Sequence, residues 1–170
     1  MKTNKINIFW MTVLTILCIV CFPVNPLTLS GLLETHIIMP LFILGWIFWA
    51  IGMILIMAPI VMFPRKGGVS KGKSFVHTTK LVDTGIYAVV RHPQYLGGIL
   101  AVFIATPLLY PHWLFAVLGI PGIIITYWST FLEERNLVKR FSDDYVTYAR
   151  RVPRMNLILG IIRVIKKKST

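Results

Sequence analysis

Residues 85–110 read GIYAVVRHPQYLGGILAVFIATPLLY. From Tyr95 to Tyr110 the stretch carries no charge and no polar alternation, so it reads as a helix in an apolar medium rather than a half-buried strand. Directly before it stand Arg91, His92 and Pro93, bracketed by Tyr87 and Tyr95. Pro93 has no amide hydrogen and suits only the first turn of a helix, and it pushes His92 toward an extended backbone. Regular helix is therefore expected from about Pro93. A basic turn is thus joined directly to an apolar segment.

Composition names the medium. Of the 170 residues 56% are hydrophobic and 14% charged, with mean hydropathy +0.73, beyond the range of soluble domains. Four stretches approach the roughly 20 residues that cross a hydrocarbon core: about 8–29, 37–63, 95–110 and 113–132. The sequence predicts an all-α integral membrane protein, one domain over 1–170, with four transmembrane helices and cytoplasmic interfacial helices at the carboxyl end. Lys2 and Lys5 before an apolar run also suit a signal peptide, but CFPVNPLTLSG lacks a small-x-small cleavage site, so the first stretch is read as a retained span. Pro40, Pro59, Pro107 and Pro121 fall inside or near spans, where neighbouring helices can satisfy the freed carbonyls.

The formal net charge of +12 is distributed by side. Residues 30–36 and the pair Pro111, His112, which connect spans on one side, contain no Lys or Arg. All 18 basic residues belong to the other side, which is the positive-inside pattern with both termini cytoplasmic. The charge then serves topology and anionic lipid headgroups. Nucleic acid is disfavoured, because no base-stacking or groove-reading motif accompanies it. Cys18 and Cys21 form a CxxC inside a span with no second ligand pair, so they read as small apolar residues and no metal site is expected.

Two cytoplasmic segments, 64–94 and 133–154, hold most of the polar residues. The first begins with PRKGGVSKGKSFVHTTKLVDTG, which has no helical period and is longer than an ordinary connection. In the second, Leu137, Phe141, Tyr145, Tyr148 and Val152 recur at spacings of three and four, the stripe of an amphipathic helix on the membrane surface that Pro153 ends. MNLILGIIRVIKKKST then gives a short apolar, Lys-tipped segment, expected at the interface.

A helix starting at Pro93 leaves the amides of Gln94, Tyr95 and Leu96 as donors at a positive dipole end, suited to a carboxylate or phosphate. Gly97 lets a flat ligand approach one turn on, although small-residue helix packing is the better reading of it taken alone. The two-residue connection makes spans 3 and 4 an antiparallel hairpin, placing Glu133 and Glu134 opposite the Arg-His-Pro turn. A carboxylate at a helix carboxyl end opposes the dipole, and neither has a Lys or Arg at i±3 or i±4. Lys139 with Asp143 and Arg140 with Asp144 are surface i, i+4 pairs instead. Two of only six acidic residues thus occupy a costly place, which favours function. A ligand bearing both an anion and a cation would match. S-adenosylmethionine, with its carboxylate, sulfonium and stackable adenine, is one, and phosphatidylethanolamine is another.

LVDTGIYAVVRHPQYLGG, EERNLVKRF and DDYVTYARRVP together resemble the superfamily of isoprenylcysteine carboxyl methyltransferases and phospholipid methyltransferases, integral membrane enzymes. The resemblance runs from about Lys80 to Pro153. It implies an S-adenosylmethionine site built from Thr79, Lys80, Leu81, Val82, Tyr87, His92, Pro93, Gln94, Tyr95 and Glu133, at the cytoplasmic face. A lipophilic substrate would enter from the bilayer. Two positions depart from the pattern. Ser142 replaces a usual glycine, and Ser129 stands where the prenylcysteine enzymes carry an arginine.

The expected activity is methyl transfer to a lipid headgroup or other small lipophile, with isoprenylcysteine carboxyl O-methylation as the alternative. Arg91 is a candidate to draw an anionic acceptor, or equally an interfacial anchor, and Glu134 a candidate proton sink. An NADPH-dependent sterol-type reductase would need a larger basic cluster for its cofactor. A non-catalytic lipid-binding protein would tolerate loss of the glutamate pair.

Overall fold

The computed structural model describes Gly31, residues 34–66 and residues 80–168. The predicted first span, 8–29, the CxxC and Thr79 lie outside the described residues. Within them the chain is helical, with no strand. Helix α1 is Met39–Lys66, α2 is Pro93–Leu109, α3 is Trp113–Arg151 and α4 is Leu157–Lys168. A single 3-10 turn, Gly85–Ala88, precedes α2.

Two helices are long and apolar enough to cross a membrane, α1 over Met39–Met62 and α3. At 1.5 Å per residue the α1 stretch is about 36 Å long. A core helix of a soluble protein would bury such side chains, yet Ile54 is 68% and Ile124 62% exposed, as lipid-facing residues are. Helix α2, the predicted third span, is shorter and irregular. Its middle, Ile99–Ile104, widens to π geometry just before Pro107. Proline offers no amide to the carbonyl four residues back, and a local π turn is one way such a carbonyl is accommodated.

The described residues pack as two compact units. In the first, residues up to 53 combine with 97–129. Val102 and Phe103 form its centre, with Ile99, Leu118, Ile123 and Ile125 around them. Gly52 lies so close to α2 that an added Cβ would stand 2.6 Å from the carbonyl oxygen of Gly97 and 2.7 Å from the amide of Ala101. Gly97 thus packs by its backbone against α1, the helix-packing reading that the sequence also allowed.

The second unit combines 54–96 with 130 onward. The predicted stripe is its core: Tyr145, Tyr148 and Val152 are buried, with Leu137, Phe141 and Leu81 against them. Helix α3 does not stop at Leu132, so Glu133 and Glu134 sit in its interior and the helix-end dipole argument does not apply to them. The helix breaks instead at Ser142, whose φ of 48° and ψ of −128° are non-helical. This break lies between the members of the expected Lys139–Asp143 and Arg140–Asp144 pairs, so neither spans a continuous helical turn. Asn156 caps α4, its side-chain oxygen accepting from the amide of Leu159 at 2.9 Å.

Candidate functional site

The second unit holds a cavity of about 310 Å³. One wall comes from the segment before the 3-10 turn, where Lys80, Leu81 and Val82 line it, together with Tyr87 from the turn itself. A second comes from Arg91, His92, Pro93, Gln94 and Tyr95. The third is α3, which contributes Glu133, Asn136, Leu137, Arg140 and Phe141, with Tyr145 and Tyr148 beyond the Ser142 break. Every described residue that the family resemblance carried to a cofactor site thus meets at one cavity. Glu134 and Gly97 do not line it.

The reason lies in the backbone around Pro93. The amides of Arg91 and His92 donate to the carbonyls of Pro153 and Arg154, at 3.0 and 3.2 Å. The Arg-His-Pro turn is thereby fastened to the chain that follows α3. The amide of Leu96 donates to the carbonyl of His92 at 3.1 Å, so this amide is spent within the helix start and is not a free donor for a ligand. Tyr148 donates its hydroxyl to the carbonyl of Tyr87 at 2.8 Å and fixes the 3-10 turn from the other side.

Glu134 is the electrostatic hub. Its Oε1 receives Arg91 Nη1 at 2.8 Å, His92 Nε2 at 3.1 Å and Arg154 Nε at 2.9 Å, and its Oε2 receives Arg154 Nη2 at 2.5 Å. The Arg154 guanidinium also lies 3.6 Å over the Phe131 ring. A carboxylate so held has both oxygens committed to the three cationic side chains around it. Arg154 was not singled out from the sequence. The signal was indirect: a buried glutamate without a cation one turn away needs one from elsewhere in the chain.

His92, 4% exposed, lies between the two carboxylates. Nε2 faces Glu134, and Nδ1 stands 3.5 Å from Glu133 Oε2, near enough for charge attraction but too long for a well-formed hydrogen bond. Burial alone would lower the imidazole pKa, but Glu133 and Glu134 together outweigh it and hold it above the ordinary 6.5. Burial, aided by the Glu133 charge, pushes the Tyr87 hydroxyl well above its usual range, so it remains a neutral donor. Glu133 keeps 42% of its side chain accessible, yet its Oε2 is buried with no hydrogen-bond partner.

The fit to S-adenosylmethionine can be judged from these residues. A buried carboxylate oxygen without a donor calls for a cation or a hydroxyl, and a wall of tyrosines suits an aromatic base or a sulfonium. The cavity supplies both, so the residues fit the group.

Comparison with known proteins agrees with the resemblance. The family model described as phospholipid methyltransferase matches residues 40–144. The chain belongs to this family of membrane methyltransferases. Methanethiol S-methyltransferase of Pseudomonas deceptionensis is 30% identical over 125 residues, 71% of this chain and 45% of the relative. Methanethiol S-methyltransferase 1 of Bradyrhizobium diazoefficiens is 40% identical over 67 residues, 39% and 22% of the two chains. Protein-S-isoprenylcysteine O-methyltransferase B of Arabidopsis thaliana is 31% identical over 98 residues, 50% and 47%. The chain therefore spans less than half the length of these relatives. No solved structure matches.

Proposed function

We propose that this chain is a membrane-embedded methyltransferase that moves the methyl group of S-adenosylmethionine to a small lipophilic acceptor, a lipid headgroup or a lipophilic thiol, reached from the bilayer. The observation that carries the reading is Glu133, a carboxylate with a buried oxygen that no well-formed hydrogen bond satisfies, at a tyrosine-walled cavity. The names of the methanethiol-methylating relatives support a sulfur nucleophile among the acceptors. The whole chain would act as one domain, with both termini and the cavity on the cytoplasmic side and its basic segments against anionic lipid.

The bound cofactor supplies a methyl group already activated on a sulfonium. What remains for the protein is alignment, and alignment can supply most of the rate in a direct displacement. Glu133 attracts the cationic part of the ligand, and Tyr87 and Tyr95 offer ring faces. His92 is held in one orientation by Glu134, and Arg91 is drawn to the same carboxylate.

An isoprenylcysteine carboxylate is the second reading, favoured by the similarity to the Arabidopsis protein. Against it, Ser129 donates its hydroxyl to the carbonyl of Ile125 at 2.8 Å and offers no charge to a carboxylate. Incubation with methyl-labelled S-adenosylmethionine and, separately, lipid extract, an alkyl thiol or acetyl-farnesylcysteine distinguishes them. Label in thiol or lipid is expected. Label chiefly in farnesylcysteine selects the second reading, and no label anywhere, with NADPH binding instead, returns the reductase.

A further inference from the structure

Helix α4, Leu157–Lys168, lines no part of the cavity, yet its side chains divide sharply by face. Successive residues of a helix turn by about 100°, so Leu157, Gly160 and Val164 share one side. That side is turned to the protein: Gly160 is buried, and an added Cβ there would run into the carbonyl of Val89. Ile158, Ile161, Ile162 and Ile165 form a second face, with Ile158 73% and Ile165 61% exposed. Arg163, Lys166 and Lys167, all exposed, form the third. A stripe of four isoleucines on the outside of a helix marks a contact with something apolar.

The length and the anchoring of α4 say where that contact lies. Its 12 residues rise about 18 Å, too little to cross a hydrocarbon core, so the helix runs along the boundary. It starts three residues after Arg154, whose carbonyl accepts from the amide of His92, immediately before α2 begins its apolar course at Pro93. It therefore sets out from the level at which α2 enters the apolar medium. Charge selects the occupant. A second copy of this chain, itself at net charge +12, would bring cations to cations. An anionic bilayer surface offers acyl chains to the isoleucines and phosphates to the basic face.

α4 also reaches one wall of the cavity through backbone alone. Gly160 sits on the Val89 carbonyl, and just before α4 the carbonyls of Pro153 and Arg154 hold the amides of Arg91 and His92. Arg163 Nη1 donates to the carbonyl of Arg151 at 3.0 Å and ties α4 to the end of α3. We propose that α4 docks on an anionic bilayer surface and, so docked, acts as a strap that holds the backbone from Val89 to His92 in its cofactor-binding arrangement. The regulatory half of this inference rests on the methyltransferase reading. Anionic lipid is then an effector of the cofactor site, and the two bind with a shared coupling energy.

The test uses the full chain in nanodiscs of phosphatidylcholine alone or with phosphatidylglycerol added, read by hydrogen exchange and by calorimetric titration with S-adenosylhomocysteine. For the wild type, phosphatidylglycerol should slow exchange both in α4 and in residues 86–92, and should tighten S-adenosylhomocysteine binding about fivefold or more, the lower end of ordinary coupling between sites. Lys166→Gln/Lys167→Gln should behave in both discs as the wild type does in phosphatidylcholine. Gly160→Ala keeps every charge but lifts α4 from Val89, so it should retain slowed exchange of α4 in anionic discs and lose it at 86–92. Exchange at 86–92 that ignores lipid charge, equal S-adenosylhomocysteine affinity in the two discs, or a double variant with the full lipid response overturns the proposal. Protection of α4 equal in both discs, as a second copy on the isoleucine face would give, also overturns it. Lipid-dependent exchange with no S-adenosylhomocysteine bound in either disc upholds the docked strap and overturns the cofactor reading instead.

Discussion

Arg154 grips both oxygens of Glu134, Nε on one at 2.9 Å and Nη2 on the other at 2.5 Å, across twenty positions of sequence. Two parallel donors on one carboxylate form the strongest and most directional kind of ion pair. Because Arg91 and His92 share the same carboxylate, this pair joins α3, the turn before α2 and the segment after Pro153 at one point.

Glu134→Gln should therefore act on stability before it acts on binding. Removing the anion leaves two guanidiniums and an imidazole without their counter-charge, at a cost on the order of 3 kcal/mol. Thermal unfolding in detergent checks this, and Glu133→Gln, whose side chain is 42% accessible, should unfold close to the wild type.

A pH dependence follows from His92. Its folded pKa is raised above 6.5, so its charged form is favoured by folding. The stability it contributes is fully present below the unfolded value and is lost as pH rises through the higher folded value. Thermal stability should fall on passing from mildly acidic to mildly alkaline buffer, and His92→Gln should flatten that part of the profile.

Gly52→Ala should loosen the first unit. Its new methyl group would meet backbone atoms of Gly97 and Ala101 at 2.6 and 2.7 Å, and backbone can yield only by moving a helix. A loss of about 1–3 kcal/mol is expected, as for other overpacked sites, read as a lower unfolding temperature.

Local rules were legible in the sequence and distant closure was not. Pro93 starts α2 because a proline restricts both itself and the residue before it. Tyr145, Tyr148 and Val152 became a packed core because their spacing of three and four is that of the helix beyond Ser142, and Leu137 and Phe141 join them from before the break. Continuation of α3 through Glu133 was not legible, since a change from apolar to charged residues marks the end of a greasy stretch without ending a helix. Arg154 lay hidden for a different reason: Pro153 reads as punctuation, and nothing local says that the next residue returns to Glu134.

Ser142→Gly should stabilise the chain. A φ of 48° with ψ of −128° is a backbone conformation that glycine adopts freely and serine does not. The gain is about 1 kcal/mol, the strain removed less the extra freedom of the unfolded glycine, and appears as a higher unfolding temperature.

Glu133 is the residue on which cofactor binding depends most directly. Calorimetric titration with S-adenosylhomocysteine should show saturable binding to the wild type, binding weakened more than tenfold in Glu133→Gln, as expected when a charged hydrogen-bond partner is lost, and wild-type binding in Asp143→Asn, a carboxylate that does not line the cavity. Absence of binding by the folded wild type, or equal effects at Glu133 and Asp143, would contradict it.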